Sequence, residues 1–196
     1  MRIILLALLT FPAIANEAAA YRLNITKYIG EFPAIVYEAS CVAIGDKRLL
    51  TAKHNVMEGE QTSTEAGFVI EVQIKDKEWV KCKIEKLSDK QDLALLKCDK
   101  KLPATAKLAK AEKFSCVGNP GGRGLEKRNG TSDEQVLDME TERGMSGAPV
   151  FNEAGEVVGI MIRLNSERLL SMDTAAGGIA VWIGAIRDFV GGKADD

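Results

Sequence analysis

The sequence predicts an all-β protein of two packed six-stranded antiparallel β-barrels, finished by a short C-terminal helix. Three observations carry that expectation. Short apolar runs recur along the chain, most of them separated by glycine, asparagine or acidic turn signals. No regular alternation of strand and helix patterns appears, which argues against a doubly wound parallel sheet. A polar, lysine- and alanine-rich stretch at 99–111, containing Pro103, splits the runs into two sets.

The elements follow in order. Arg2 precedes the apolar run Ile3 to Leu9, and Ala13-Ile14-Ala15 supplies a small-x-small junction, so 1–15 is expected to be a signal peptide cleaved after Ala15. Seven unbroken apolar residues are far short of the roughly 20 that cross a bilayer. A secreted or periplasmic protein is therefore expected, with no stable membrane insertion once the signal is removed. Residues 16–33 read as an N-terminal extension. Strands are expected at Ala34–Tyr37, Cys41–Ile44, Arg48–Ala52, Phe68–Ile74, Trp79–Ile84 and Leu93–Lys97, which make 34–98 the first barrel. The linker 99–111 follows. Strands at Phe114–Val117, Gln135–Met139, Ala148–Phe151, Val157–Ile162 and Ile179–Val181 make the second barrel within 112–190. Trp182, Ile183, Ile186, Phe189 and Val190 then show helical spacing that Gly191-Gly192 can end, leaving 191–196 as a tail.

Composition removes several function classes. The net charge is −2 over 196 residues, and no basic run or aromatic-basic stripe suggests nucleic acid. His54 is the only histidine, and no Cys-x-x-Cys pair is present, so no zinc site is expected. Phosphate-loop and dinucleotide fingerprints are missing, and no cofactor is expected. Four cysteines allow three pairings. A turn at Asp89-Lys90-Gln91 would fold the strand holding Cys82 back on the one ending at Cys98, favouring Cys82–Cys98 and leaving Cys41 with Cys116. Four buried free thiols are the alternative.

Three segments carry chemistry: Leu50-Thr51-Ala52-Lys53-His54, Asp92-Leu93-Ala94-Leu95-Leu96 and Gly144-Met145-Ser146-Gly147-Ala148-Pro149-Val150. They supply an imidazole, a carboxylate and a hydroxyl, each on or beside an apolar run. A serine nucleophile needs a base to take its proton and an acid to orient that base. An α/β-hydrolase would run serine, acid, histidine and would need glycine where Ala148 stands. Here the histidine comes first.

These motifs resemble those of trypsin-like serine proteases of the chymotrypsin fold, nearest to the HtrA-type bacterial protease domain without a PDZ module. The resemblance covers roughly 34–190, with further echoes at Val117-Gly118-Asn119-Pro120-Gly121-Gly122 and Gly155-Glu156-Val157-Val158-Gly159-Ile160. It implies a serine endopeptidase with His54, Asp92 and Ser146 as catalytic residues and a protein or peptide as substrate. The backbone N–H groups of Gly144 and Ser146 would form the oxyanion hole. Met161, Ile162 and Arg163 would pair with the substrate, and Gly178 would line the opposite wall. Glu140 would reach the pocket floor and favour a basic side chain, or else stand as a solvated charge. Two departures stand out. Asn55 replaces a cysteine common in animal relatives, and Met145 replaces the aspartate used by zymogen-activated ones. A second class, a protease-fold binding or inhibitory protein with an unused site, is separated from the enzyme by a serine-directed probe.

Overall fold

The computed structural model describes residues 17–109, 114–133, 136–139, 141–164 and 178–191. The expected signal peptide, Glu140 and the tail beyond Gly191 lie outside the described residues.

In the first half, β1 (Ala20–Ile29), β2 (Phe32–Gly45) and β3 (Arg48–Thr51) are followed by a small ribbon, β4 (Met57–Glu58) with β5 (Gln61–Thr62). Then come β6 (Phe68–Lys75), β7 (Glu78–Leu87) and β8 (Ala94–Cys98). Six of these strands close into an antiparallel barrel in the order β1-β2-β3-β8-β7-β6. The alternation that predicts strands is visible in β6, where Phe68, Ile70 and Val72 are buried and the residues between them are not. These side chains join Leu23, Ile25, Leu49 and Leu96 in the barrel core.

Two expectations are corrected here. Residues 20–29 belong to the barrel rather than to an extension, because Tyr21, Leu23 and Ile25 bury one face against it. The two strands expected at Ala34–Tyr37 and Cys41–Ile44 are one continuous strand, since β1 pairs along its whole length from Phe32 to Val42. The outer end of this hairpin extends past β6, whose ladder with β1 stops at Lys27, and so Ile29 and Phe32 remain exposed at 73% and 79%.

The second half contains β9 (Phe114–Gly118), β10 (Glu126–Asp133), β11 (Val136–Asp138), β12 (Pro149–Phe151), β13 (Val157–Leu164) and β14 (Gly178–Trp182). They form a second antiparallel sheet in the order β10-β11-β14-β13-β12-β9. β10 has no counterpart among the expected strands. Its sequence, Glu-Lys-Arg-Asn-Gly-Thr-Ser-Asp, lacks apolar alternation, and a five-pair ladder with β9 defines it. The expected helix is present as α1 (Ile183–Val190), with Ile186 and Phe189 buried. Gly191 ends it at φ +92°, a left-handed cap that glycine accepts without strain. Among the described residues, no helix is long and apolar enough to cross a membrane.

The two halves meet in one apolar seam. Val42, Leu50, Leu93 and Leu95 from the first pack with Phe151, Val157, Ile160, Val181, Ile186 and Phe189 from the second. Leu50 lies four residues before His54 and Leu93 one residue after Asp92, so burial of the seam places both side chains near its rim.

The Cys82–Cys98 disulfide forms between directly opposed residues of β7 and β8. It closes the loop that carries Asp92. The leftover pairing does not form: Cys41 and Cys116 are free buried thiols in separate core clusters. Burial pushes both thiols up, Cys116 to about 12, with Arg128 pulling weakly the other way. Replacing Cys82 and Cys98 together by alanine is expected to cost about 3 kcal/mol, the scale for a loop of this size. Denaturant unfolding of the paired variants measures it.

Candidate active site

His54 sits in a short 3-10 turn, Lys53–Val56, directly after β3. Asp92 sits in the turn between β7 and β8. That turn is closed by Ser88, whose Oγ accepts the N–H of Gln91 at 3.0 Å and whose N–H reaches the Leu93 carbonyl at 3.0 Å. Lys53 fastens it from the histidine side, donating Nζ to the Ser88 carbonyl at 2.9 Å.

Asp92 uses both oxygens on one partner. Oδ2 lies 2.7 Å from His54 Nδ1, and Oδ1 accepts the His54 backbone N–H at 2.9 Å. An ionised carboxylate only accepts, so Nδ1 carries the hydrogen, and in the neutral ring Nε2 then keeps its lone pair. Burial raises the Asp92 pKa, but hydrogen bonds from the His54 ring and main chain, the His54 charge and the Lys53 N–H outweigh it. The net result lies below the usual value.

Ser146 approaches from the second half through its main chain. Its carbonyl accepts the Ser40 N–H at 2.9 Å and Asn55 Nδ2 at 2.9 Å. The serine backbone is thus bonded to the residue next to His54. Gly147 makes the approach possible. A Cβ there would lie 2.0 Å from the Ser40 carbonyl oxygen and 2.2 Å from Thr51 Oγ1, and its φ is +84°. The Ser146 hydroxyl points to the Ile162 carbonyl at 3.5 Å, and no His54–Ser146 hydrogen bond forms among the described residues.

The turn before Ser146 leaves two donors free. The Arg143 carbonyl accepts Gly121 N–H at 2.7 Å, the Gly144 carbonyl accepts Ser40 Oγ at 2.8 Å, and Met145 N–H bonds Glu142 at 3.3 Å. Among the described residues, neither the Gly144 N–H nor the Ser146 N–H has an acceptor. Two unpaired N–H groups two residues apart are ready-made donors for an anionic oxygen. The Met145 side chain is fully buried with Cys116, Met139 and Val150, so apolar packing anchors the turn.

A protein-family model for the trypsin-like peptidase domain matches residues 39–160, more than half of the chain. The chain belongs to the trypsin-like peptidase family. No curated protein sequence matches it. Solved structures similar to this trypsin-like domain include the Rv3671c protease of M. tuberculosis in its active form. That structure has a TM-score of 0.70 at 16% identity, covering 90% of this chain and 81% of that one. The inactive form scores 0.68 at 17% identity, covering 90% and 89%. The HtrA-type protease AlgW with a tripeptide scores 0.70 at 20% identity, covering 89% of this chain and 59% of that one. At such identities the likeness concerns the fold.

The remaining site expectations divide within this trypsin-like domain. Met161 is buried, its N–H bonds the Ala148 carbonyl and its carbonyl accepts Gly147 N–H, so both main-chain groups are already bonded within the protein. Ile162 differs: the β13–β14 register slips between Met161 and Arg163, and the bulge frees the Ile162 carbonyl toward Ser146. Arg163 pairs with Ile179, and Gly178 pairs with both Leu164 and Leu137. Glu140 lies outside the described residues. Sequence reasoning missed Ser40 and treated Asn55 only as an absent cysteine. A hydrogen-bonding residue beside the histidine motif was the available signal for Asn55; nothing marked Ser40.

Proposed function

We propose that the protein is an exported serine endopeptidase in which His54, Asp92 and Ser146 act as a triad. One observation carries the reading: Asp92 holds the His54 ring and main chain together, while the adjacent Asn55 holds the Ser146 main chain. The reading requires the Ser146 hydroxyl to leave the Ile162 carbonyl for Nε2, a change about one side-chain bond. Such bonds are often loose before substrate binds.

In the proposed reaction, Nε2 takes the Ser146 proton as Oγ bonds to the scissile carbonyl carbon, and the carbonyl π electrons move onto oxygen. Gly144 and Ser146 N–H groups receive that oxyanion. Its collapse breaks the C–N bond, and the imidazolium gives its proton to the departing amine. Water then repeats the cycle on the acyl-enzyme. The bulged Ile162 carbonyl and the strand through Arg163 supply pairing groups for an extended substrate, with Gly178 on the neighbouring strand. Glu140 keeps both of its sequence readings, pocket floor or solvated charge, and the two-barrel fold belongs to the same proposal, supported by β9 pairing with both β10 and β12. Export after cleavage at Ala15 remains part of the reading through the N-terminal pattern.

A fluorophosphonate probe tests the reading. Labelling of the folded protein that vanishes in Ser146→Ala supports it. Absence of labelling in the folded, processed protein favours a binding or inhibitory role instead.

A further inference from the structure

Ser40 belongs to none of the three sequence motifs, yet it is completely buried and bonds both the Gly144 and the Ser146 carbonyls of the turn that carries the free N–H groups. Its N–H donates to the Ser146 carbonyl at 2.9 Å, and its Oγ donates to the Gly144 carbonyl at 2.8 Å across 104 residues of chain. The same Oγ accepts the Asn119 N–H at 2.8 Å. Asn119 opens the turn whose Gly121 N–H holds the Arg143 carbonyl. The Ser40 carbonyl in turn accepts Thr51 Oγ1 at 2.8 Å, and Thr51 Oγ1 accepts Asn55 Nδ2 at 2.9 Å.

The geometry points to Ser40 as the positioning residue of the oxyanion turn. In a trans peptide the C=O and N–H point in opposite directions. Pinning the Arg143 carbonyl on Gly121 therefore aims the Gly144 N–H away from the 120–122 turn. Pinning the Gly144 carbonyl on Ser40 prevents the next peptide from rotating and swinging the Gly144 backbone with it. Pinning the Ser146 carbonyl on the Ser40 N–H holds the nucleophile's own residue. Ser40 makes two of these three anchors itself and supports the third through Asn119. A hydroxyl is needed because one atom must donate to a carbonyl and accept from an N–H at once; alanine can do neither, and the buried Asn119 N–H and the Gly144 carbonyl would both lose this partner.

This inference rests on the triad reading, and its test separates the two. Wild type, Ser40→Ala and the near-isosteric, weaker-bonding Ser40→Cys are compared with a fluorogenic peptide that the wild type cleaves, rates being normalised by active-site titration. Ser40→Ala is expected to lower kcat about 10- to 100-fold, short of the roughly 10²–10³ for losing a donor outright. KM should stay within about threefold and the pH profile should keep its midpoint. A peptidyl trifluoromethyl ketone, whose adduct places an oxyanion in the hole, should lose affinity by the same factor as kcat. Ser40→Cys should fall between the two and decides the matter should the alanine variant fail to fold. A kcat within about threefold of wild type in the folded variant, or a loss confined to KM, overturns the inference and leaves the triad standing. Absence of both labelling and cleavage in the wild type overturns both.

Discussion

Asp92→Asn is expected to reduce kcat/KM by about 10⁴ while leaving the fold intact. The size follows from how both carboxylate oxygens are spent. Oδ1 receives the His54 backbone N–H and Oδ2 faces Nδ1. An asparagine has one acceptor and one donor group. The backbone N–H has no tautomer and demands the acceptor, so the amide NH₂ must face Nδ1. The ring then accepts at Nδ1 and carries its hydrogen on Nε2, where the nucleophile's proton has to go. The base is present and aimed, but in the wrong tautomer. Steady-state kinetics on the titrated variant measures the loss; retention of a tenth of wild-type kcat/KM would contradict the assignment of Asp92. The same substitution has a pH signature in stability. The folded-state pKa of Asp92 lies below its unfolded value, so its contribution is present above about pH 4 and is lost as pH falls through the lower, folded value. The stability gap between wild type and Asp92→Asn should therefore shrink below about pH 4.

The sequence carried the strands with a buried face and the three motif residues, for a common reason. Leu50, Leu93 and Val150 are fully or almost fully buried, and each lies within four residues of His54, Asp92 or Ser146. Burial writes itself into sequence as apolar runs, and the reactive residues inherit that visibility from their neighbours. β10 shows the opposite case. Its ladder with β9 runs through the main chain from Glu126 to Gly130, and main-chain bonding leaves no mark on residue type. Residues 16–33 read as an extension, although Tyr21, Leu23 and Ile25 alternate as the buried face of a strand does. Only the ladders of β1 with β2 and β6 make it part of the barrel. Ser40 is the extreme example. It is a small polar residue whose three partners in the second half, Asn119, Gly144 and Ser146, lie 79 to 106 positions away, so its role in the oxyanion turn comes from where that half docks.

Gly144→Ala provides the second large effect, because it attacks the oxyanion turn without touching the histidine–aspartate pair. Gly144 has φ +89°, a region in which a side chain costs about 1–3 kcal/mol. Its position is also crowded: an added Cβ would lie 2.2 Å from the Asn119 carbonyl oxygen and 3.4 Å from Gly121 N. The obstacle cannot step aside cheaply. Asn119 is fully buried, its N–H is bonded to Ser40 Oγ, its side-chain oxygen accepts Gly124 N–H at 2.8 Å, and its carbonyl accepts Gly122 N–H at 3.2 Å. The Gly144 peptide must turn instead, and its N–H turns with it. A fall in kcat of about 10²–10³ is expected, the scale for removing one oxyanion donor, with little change in KM. The contrasting substitution is Gly184→Ala in α1, where an added Cβ meets nothing within 4 Å. It should gain about 0.5–1 kcal/mol of stability from helix propensity and leave kcat unchanged. Comparable kcat values for the two variants would mean that the Gly144 N–H takes no part in the rate, and the donors for the developing charge would have to be sought elsewhere in the site.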